Sequence, residues 1–449
     1  MDTTYDKSDP QSILSFSQKL IGKTLSDFMT PDEVVIANNL TKGSLGKLVE
    51  TEFFGINPGN DHAPDFPDAG VELKTTGVNI RVIRQTGETV YVAKERLSLT
   101  MIDYMDVVEE IWDSCTVMEK CRLMLMVFYL FEKDTPIASR KFVMAPFLWQ
   151  FPAEDLEIIK NDWCFIVNKI KSGMAHQLSE GDTMYLGACR KGNDKIPHRK
   201  QPNSDVLCLS RAFCLKQTYM TIMIKARGNR VVPESLYGAT SASQPIEDVI
   251  AARLRRYEGV EVADIIEQLS FDRGQEPKHL LRLLSSRMLG VKTENIRELE
   301  KAEVTIKTIR LSASGTPKES MSFAAFKSAE LVNQTWEESK FNKELEERKY
   351  LLMVFRYDAE NKLRFSHGRL WNMPWEDRQE AKRVWEETKR RIIAIQADKL
   401  PLSDFSSVSH VRPKARDRDD TETTPYGQTI TKKCFWLNAS YISKIATAQ

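Results

Sequence analysis

Asp65, Glu72 and Lys74 lie within ten residues of one another in Pro64-Asp65-Phe66-Pro67-Asp68-Ala69-Gly70-Val71-Glu72-Leu73-Lys74. The end of this stretch reads as a short strand. Glu72 and Lys74 then share one face while Val71 and Leu73 point into a core. Asp65, in the loop just upstream, is placed to turn back toward Glu72. Two carboxylates and an ammonium on one face are what a hard divalent cation and a scissile phosphate require. The same pattern also fits a solvated strand face carrying an i,i+2 ion pair, so the rest of the chain must separate the two.

The elements around this stretch must position it. In Ser44-Leu45-Gly46-Lys47-Leu48-Val49-Glu50-Thr51-Glu52-Phe53-Phe54-Gly55, the apolar residues Leu45, Leu48, Val49 and Phe53 recur at helical spacing. Glu50 borders that stripe, either as a surface charge or as a third metal ligand. Residues 10–28 read as a helix and its turn, Lys94–Leu99 as a strand, 101–115 as a helix and the apolar run 121–131 as a buried strand. Lys94 is either part of a solvated face or a contact to the same phosphate. Phe147–Asp155 reads as a strand end, a proline turn and a helix start, with the helix running to about Lys171. Residues 186–200 read as a loop. Arg190, Lys191, Lys195, Arg199 and Lys200 stand there against Asp194 alone, a pattern suited to phosphate contact. Strand-like Ala212–Lys216 follows, and Gly228–Ser243 has the composition of a linker.

Composition sets wide bounds. The 449 residues suffice for two or three domains, and a net charge of +1 means that any affinity for nucleic acid must come from local clusters. Seven cysteines without a Cys-x-x-Cys pair argue against a disulfide framework or zinc site and for a reducing cytosol. The first residues lack an apolar signal region, and the longest apolar run is too short to span a bilayer. A cytoplasmic protein without membrane contact is expected.

The second half repeats the first. Leu148-Trp149-Gln150-Phe151-Pro152-Ala153-Glu154-Asp155 returns as Leu370-Trp371-Asn372-Met373-Pro374-Trp375-Glu376-Asp377, 222 positions on (Trp149 to Trp371). Trp163 and Trp385, Phe213 and Phe435, and Tyr219 and Tyr441 keep that separation. Upstream, Lys94-Glu95-Arg96-Leu97-Ser98 resembles Lys318-Glu319-Ser320-Met321-Ser322, and Leu125-Met126-Val127-Phe128 resembles Leu352-Met353-Val354-Phe355. The duplication gives residues 1–230, a linker at 231–245 and residues 246–449. Val71-Glu72-Leu73-Lys74-Thr75 aligns with Val304-Thr305-Ile306-Lys307-Thr308, so the lysine persists while Glu72 becomes Thr305. Gly55 falls on Gly290 and Glu50 on Ser285. Asp65 falls near Glu298, in a loop where the alignment is loose. The second copy is therefore expected to hold no catalytic metal. It keeps a basic segment, His410-Val411-Arg412-Pro413-Lys414-Ala415-Arg416.

Lys42-Gly43 through Glu50, Asp65, and Gly70-Val71-Glu72-Leu73-Lys74-Thr75 resemble the active-site signature of the MutH family of mismatch-repair endonucleases. Arg412-Pro413-Lys414-Ala415 and Arg211-Ala212-Phe213-Cys214-Leu215-Lys216 resemble its DNA-reading loop and following strand. Two such copies, the second without its acids, resemble the two-domain Sau-type restriction endonucleases specific for GATC. His176-Gln177-Leu178-Ser179-Glu180-Gly181, Lys318–Phe323 and Cys434–Asn438 extend the likeness over nearly the whole chain.

The resemblance implies an α/β fold of two tandem restriction-endonuclease-like domains, each a mixed sheet flanked by helices. It implies Mg²⁺-dependent cleavage of double-stranded DNA at GATC, 5′ of the G, with Mn²⁺ as a substitute ion. Asp65 and Glu72 would bind the metal, Glu50 would assist, and Lys74 would orient or activate the attacking water. Lys94, Arg190, Lys191, Lys195, Arg199, Lys216, Arg412, Lys414 and Arg416 are the expected DNA contacts. The second domain would take a second DNA copy or favour a DNA-induced homodimer; alternatively it only completes a pseudo-dimer. Cys214 stands where the mismatch-repair relatives carry a tyrosine that helps to sense adenine methylation, so that discrimination is expected to be absent. Two other readings are a strand-nicking repair endonuclease and a non-catalytic DNA-binding protein.

Overall fold

The computed structural model describes residues 4–40, 44–57, 63–83, 87–192, 196–228, 233–238, 244–270, 277–293, 295–318 and 320–447. They divide into two compact units. The described residues of Met1–His176 and Thr183–Val232 form one, and those of Gln177–Asp182, Pro233–Thr240 and Gln244–Gln449 form the other. The short segment Gln177–Asp182 thus groups with the second unit, although its sequence position suggests the first.

In the first unit the apolar run becomes the strand Met124–Leu130, whose residues Met124–Phe128 are fully buried. A strand with no polar face belongs inside a sheet covered on both sides. It pairs in parallel with Glu72–Val82, placing Lys74 opposite Met126, and antiparallel with Phe147–Trp149. Thr89–Ala93 completes this four-stranded mixed sheet on the other edge. A second, antiparallel sheet orders Leu97–Met101, Arg211–Leu215 and Leu186–Arg190. The helix Ala153–Lys171 follows Pro152, with Glu154 and Asp155 in its first turn and Lys169 and Lys171 in its last, charges that suit the helix dipole.

The second unit repeats both sheets among its described residues, the mixed one without a counterpart of the edge strand Thr89–Ala93. Val304–Leu311, Lys349–Tyr357 and Leu363–Trp371 form the mixed one, and Ser322–Ala325, Lys433–Leu437 and Ser409–Pro413 the antiparallel one. Its helix Trp375–Ile393 keeps both ends 222 positions from those of Ala153–Lys171. The duplication extends to a buried hydrogen bond. Tyr219 Oη donates to Asp155 Oδ2 at 2.7 Å, and Tyr441 Oη donates to Asp377 Oδ2 at 2.8 Å. Each unit is therefore an α/β structure of mixed sheet and helices.

Four sequence expectations change. Residues 101–115 do not form one helix: two 3₁₀ turns occupy Val107–Glu109 and Trp112–Ser114, and the helix is Thr116–Cys121. The Asp103 carboxylate accepts from the backbone N–H groups of Met105 at 2.9 Å and Asp106 at 3.3 Å, as a helix N-cap does, but the turn it starts ends at Glu109 because Glu110 is extended. Residues 186–200 are not a simple loop: Leu186–Arg190 is a buried strand, and Arg199–Gln201 pairs with Ser204–Cys208 in a hairpin. Lys94–Arg96 precedes the strand Leu97–Met101 instead of opening it. Finally, Leu125 does not correspond to Leu352. Trp149 lies opposite Met124 and Trp371 opposite Tyr350, while Lys74 lies opposite Met126 and Lys307 opposite Leu352. Both ladders equate Leu125 with Leu351, one residue from the Leu-Met-Val-Phe match. Among the described residues no helix is long and apolar enough to cross a membrane.

Candidate active site

The turn before the strand brings the first two acids together. Phe66 and Val71 exchange backbone hydrogen bonds of 2.9 and 3.2 Å, and both side chains are buried in the core. Gly70 closes the turn at φ 63°, a conformation that costs glycine little. Asp65 and Glu72 flank this bridged pair. The Asp65 N–H donates to Glu72 Oε2 at 3.2 Å, and Asp65 Oδ2 accepts from the Leu73 N–H at 2.8 Å. The register seen in sequence therefore puts the loop acid against the strand acid.

Lys74 completes the face. Its ammonium donates to Glu72 Oε1 at 2.7 Å and to the Leu99 carbonyl at 2.9 Å, so the adjacent antiparallel sheet fixes it. Lys120 reaches within 3.8 Å of the same Glu72 oxygen, a neighbour that sequence reasoning missed. The only signal was a cation just ahead of the apolar strand. Glu50 stands on a π-helical turn, Val49–Phe53. Such a turn inserts one residue into a helix and is frequent at functional sites.

The electrostatics show a site short of positive charge. Glu72 is 3 % exposed; burial raises its carboxyl above the ordinary glutamate value and the Asp65 charge adds to this, against the opposing pull of Lys74 and Lys120. Burial also raises Glu50, again with Asp65 contributing. Burial works against the Lys74 ammonium, but its neighbours Cys121, Glu72 and Asp65, with the hydrogen bond to Glu72, leave its pKa above the ordinary lysine value. Carboxylates crowded in a dry site are what a divalent cation relieves. Among the described residues no three His, Cys, Asp or Glu side chains form a group able to hold a metal. Glu50, expected as a third ligand, does not close a cage with Asp65 and Glu72. A two-carboxylate set still fits Mg²⁺, which keeps several waters and is usually held by one or two carboxylates plus substrate phosphate.

The expected DNA contacts separate into several groups. Arg199 and Lys200 are exposed on the Arg199–Cys208 hairpin, and Arg199 Nε donates to Ser210 Oγ at 3.3 Å. Arg190 and Lys191 are half-buried at the end of the neighbouring strand, and Lys195 lies outside the described residues. Lys94 has its ammonium 3.7 Å from the centre of the Phe131 ring and 3.7 Å from Glu95. Lys216 is 2 % exposed and donates to the Thr183 carbonyl at 2.8 Å, which makes it a tie within the fold and removes it from the surface expected to meet DNA. In the second unit Arg412 and Arg416 are exposed, Arg412 over the Trp436 ring and Arg416 3.6 Å from Asp420. Cys214 is fully buried, its thiol 3.5 Å from the Gly187 carbonyl.

The second unit lacks every acid of the first site. Thr305 sits at the Glu72 rung, opposite Tyr350 as Glu72 is opposite Met124. Glu298 is buried and points elsewhere, accepting from Ser235 Oγ at 2.6 Å and the Leu236 N–H at 2.8 Å. At the helix end, Phe54 N–H donates to Val49 O, and Leu289 N–H donates to Ser285 O. The extra residue of the π turn thus equates Glu50 with Ser286 instead of Ser285.

Comparison with known proteins agrees with this duplication. The family model for the DNA mismatch repair enzyme MutH matches twice, at residues 54–162 and 289–384. The type II restriction enzyme Sau3AI of Staphylococcus aureus is 28% identical over 489 residues, covering 97% of each chain. The mismatch repair protein MutH of Shewanella woodyi is 27% identical over 234 residues, covering 51% of this chain and 96% of that protein. MutH of Yersinia pestis is 28% identical over 225 residues, covering 48% and 92%.

Proposed function

This chain belongs to the MutH-like, Sau-type family of site-specific deoxyribonucleases, and we propose that it is a type II restriction endonuclease cutting double-stranded DNA at GATC, 5′ of the G, with Mg²⁺. The observation that carries the proposal is the asymmetry between the units. Asp65, Glu72 and Lys74 converge in the first, and the aligned frame of the second retains only the lysine. Full-length similarity to a restriction enzyme, against half-length similarity to the repair proteins, favours double-strand cleavage over nicking.

Asp65 and Glu72 would hold the ion, with Glu50 adding negative charge beside them; Mn²⁺ would substitute. When bound, the ion supplies Lewis-acid stabilisation of charge on phosphorus and a more acidic water. The chain's own part is positioning. The Phe66–Val71 bridge fixes the two carboxylates, and the Leu99 carbonyl and Glu72 hold the Lys74 ammonium at a definite point. There it stabilises developing phosphoryl charge and orients the nucleophile for in-line attack. The products are a 5′-phosphate and a 3′-hydroxyl. Arg190, Lys191, Lys195, Arg199, Arg412, Lys414 and Arg416 supply backbone contacts.

Residues 1–230 form the catalytic domain in this reading, 231–245 the linker and 246–449 a domain that binds DNA without cutting. One active site per chain means that a double-strand break needs a DNA-induced homodimer or two visits, and a second GATC copy on the second domain would favour the active assembly. With Cys214 in place of a methyl-sensing tyrosine, N6-methylated and unmethylated GATC are cut alike. A cytoplasmic enzyme with DNA as its partner follows from this reading. Digestion of a mapped plasmid with Mg²⁺ and with EDTA, followed by end sequencing, tests it: linear products ending 5′ of GATC are expected in Mg²⁺ only. Nicked circles would point to the repair reading, and no cutting to a binding protein.

A further inference from the structure

The second unit keeps Lys307 in the frame of Lys74, yet the site around it is rebuilt. Ser98 lies opposite Cys214 and Ser322 opposite Trp436, residues at equivalent places in the two antiparallel sheets. The carbonyl of Leu99, which holds the Lys74 ammonium, therefore corresponds to the carbonyl of Phe323. In the second unit that carbonyl accepts from Lys414 Nζ at 2.6 Å, and Ser322 Oγ lies 3.1 Å from the same nitrogen. Lys414 comes from the basic segment. Its N–H donates to Lys432 O as the Lys191 N–H donates to Ser210 O, so the two lysines share a backbone position. A lysine of the expected DNA-reading loop has thus taken the seat of the lysine beside the metal acids.

Lys307 is displaced from that seat. Among the described residues its ammonium makes no hydrogen bond or ion pair, and it stands 6.0 Å from the centre of the Tyr350 ring. Burial together with the charges of Arg348, Arg282 and Lys414 lowers its pKa, and Glu344 opposes this. Glu344 is itself paired to Arg348 at 3.1 Å. Where the first unit presents acids short of a cation, the second presents, among the described residues, a lysine without an acid of its own.

We infer that Lys307 and Lys414 form a metal-free clamp for one backbone phosphate of duplex DNA, at the place in the second unit that corresponds to the cleavage site of the first. The clamp rests on the reading of this chain as a DNA endonuclease, and it specifies how the second unit grips without cutting. Two ammonium groups neutralise a phosphate directly, so binding needs no divalent ion and weakens with salt. The Lys414 ammonium keeps a carbonyl acceptor in the free protein and exchanges toward the phosphate when DNA arrives.

The test uses the full chain in EDTA with a GATC duplex. Lysine acylation by a small reagent is read residue by residue by mass spectrometry, with and without duplex, while fluorescence anisotropy follows binding in the same samples. Expected is a several-fold protection of Lys307 and Lys414 that high salt reverses. Lys307→Gln and Lys414→Gln should each weaken binding up to about tenfold and lower the slope of log K against log salt by about one. Lys307→Arg should restore most of the loss, and an unchanged thermal melt shows that the fold is intact. Bound duplex with both lysines as reactive as before, and the double variant binding with wild-type affinity and salt slope, would overturn the clamp. No binding in EDTA would likewise overturn the clamp, whereas failure of the same preparation to cut the duplex in Mg²⁺ would instead overturn the endonuclease reading.

Discussion

Glu72 and Thr305 stand on the same rung of two copies of one sheet, each followed two residues later by a lysine. The frame persists where the fold needs it. The parallel strand pair, the nineteen-residue helix and the Tyr219–Asp155 bond all recur in the second unit. What does not recur is the acid set. Glu72 has become Thr305, Glu50 a serine, and the acid aligned with Asp65 has been turned into a structural tie to Ser235 and Leu236. On the proposed reading, the shared sheet pair, long helix and tyrosine–aspartate bond serve stability, the acids confined to the first unit serve chemistry, and the lysine kept in both serves phosphate. The electrostatics agree, since burying the Glu72 carboxylate with Asp65 and Glu50 nearby is a cost that a fold avoids unless a cation offsets it.

Breaking this comparison at Asp65 and Glu298 should give opposite results. Asp65→Asn is expected to lower the single-turnover cleavage rate by about 10²–10³-fold or more while leaving duplex affinity in EDTA unchanged. Glu298→Gln should leave the cleavage rate within about twofold and destabilise the second unit by about 1–3 kcal/mol, read by denaturant unfolding. Lys74→Ala removes the positioned ammonium and should cost about 10²-fold in rate, with metal uptake retained.

The raised Glu72 and Glu50 carboxyls give a pH signature. In the metal-free protein each binds its proton more tightly when folded, so its contribution to stability is present below the unfolded value, near 4.5, and is lost as pH rises through the folded value. A bound cation offsets that loss. The rise in melting temperature given by Mg²⁺ should therefore vanish as pH falls, with a midpoint above 4.5, and Glu72→Gln should show no rise at any pH. A midpoint at or below the ordinary glutamate value would remove the crowded-carboxylate account. The smallest effect concerns what the units share: Tyr219→Phe and Tyr441→Phe should each cost about 1–2 kcal/mol, with similar values in the two units.

Much of this was legible in the chain. The separation of 222 positions survives in helix ends, strand ends and a side-chain hydrogen bond because the segment from Trp149 to Tyr219 carries no net insertion: the strand Leu186–Arg190 matches Ser409–Pro413 one position further on, and the shift is made up before Arg211. The Asp65–Glu72 approach followed from a turn ahead of an alternating strand. Other features had no local signal. The π turn at Val49–Phe53 shifts the helix alignment by one residue without changing its apolar pattern, so the sequence alone pairs Glu50 with Ser285 where the backbone pairs it with Ser286. Runs of Leu, Met, Val and Phe match one another in more than one register, and only the ladders separated Leu351 from Leu352. Lys120 at Glu72, Lys216 beneath the surface and Lys414 on the Phe323 carbonyl are tertiary placements of side chains that sequence alone reads as surface cations.

The central claim is that one unit cuts and the other does not. It is tested most directly by pairing Glu72→Gln with Thr305→Val in single-turnover cleavage of a mapped plasmid in Mg²⁺. Loss of cutting by Glu72→Gln, with Thr305→Val at the wild-type rate, is the predicted result. Wild-type cutting by Glu72→Gln would contradict it.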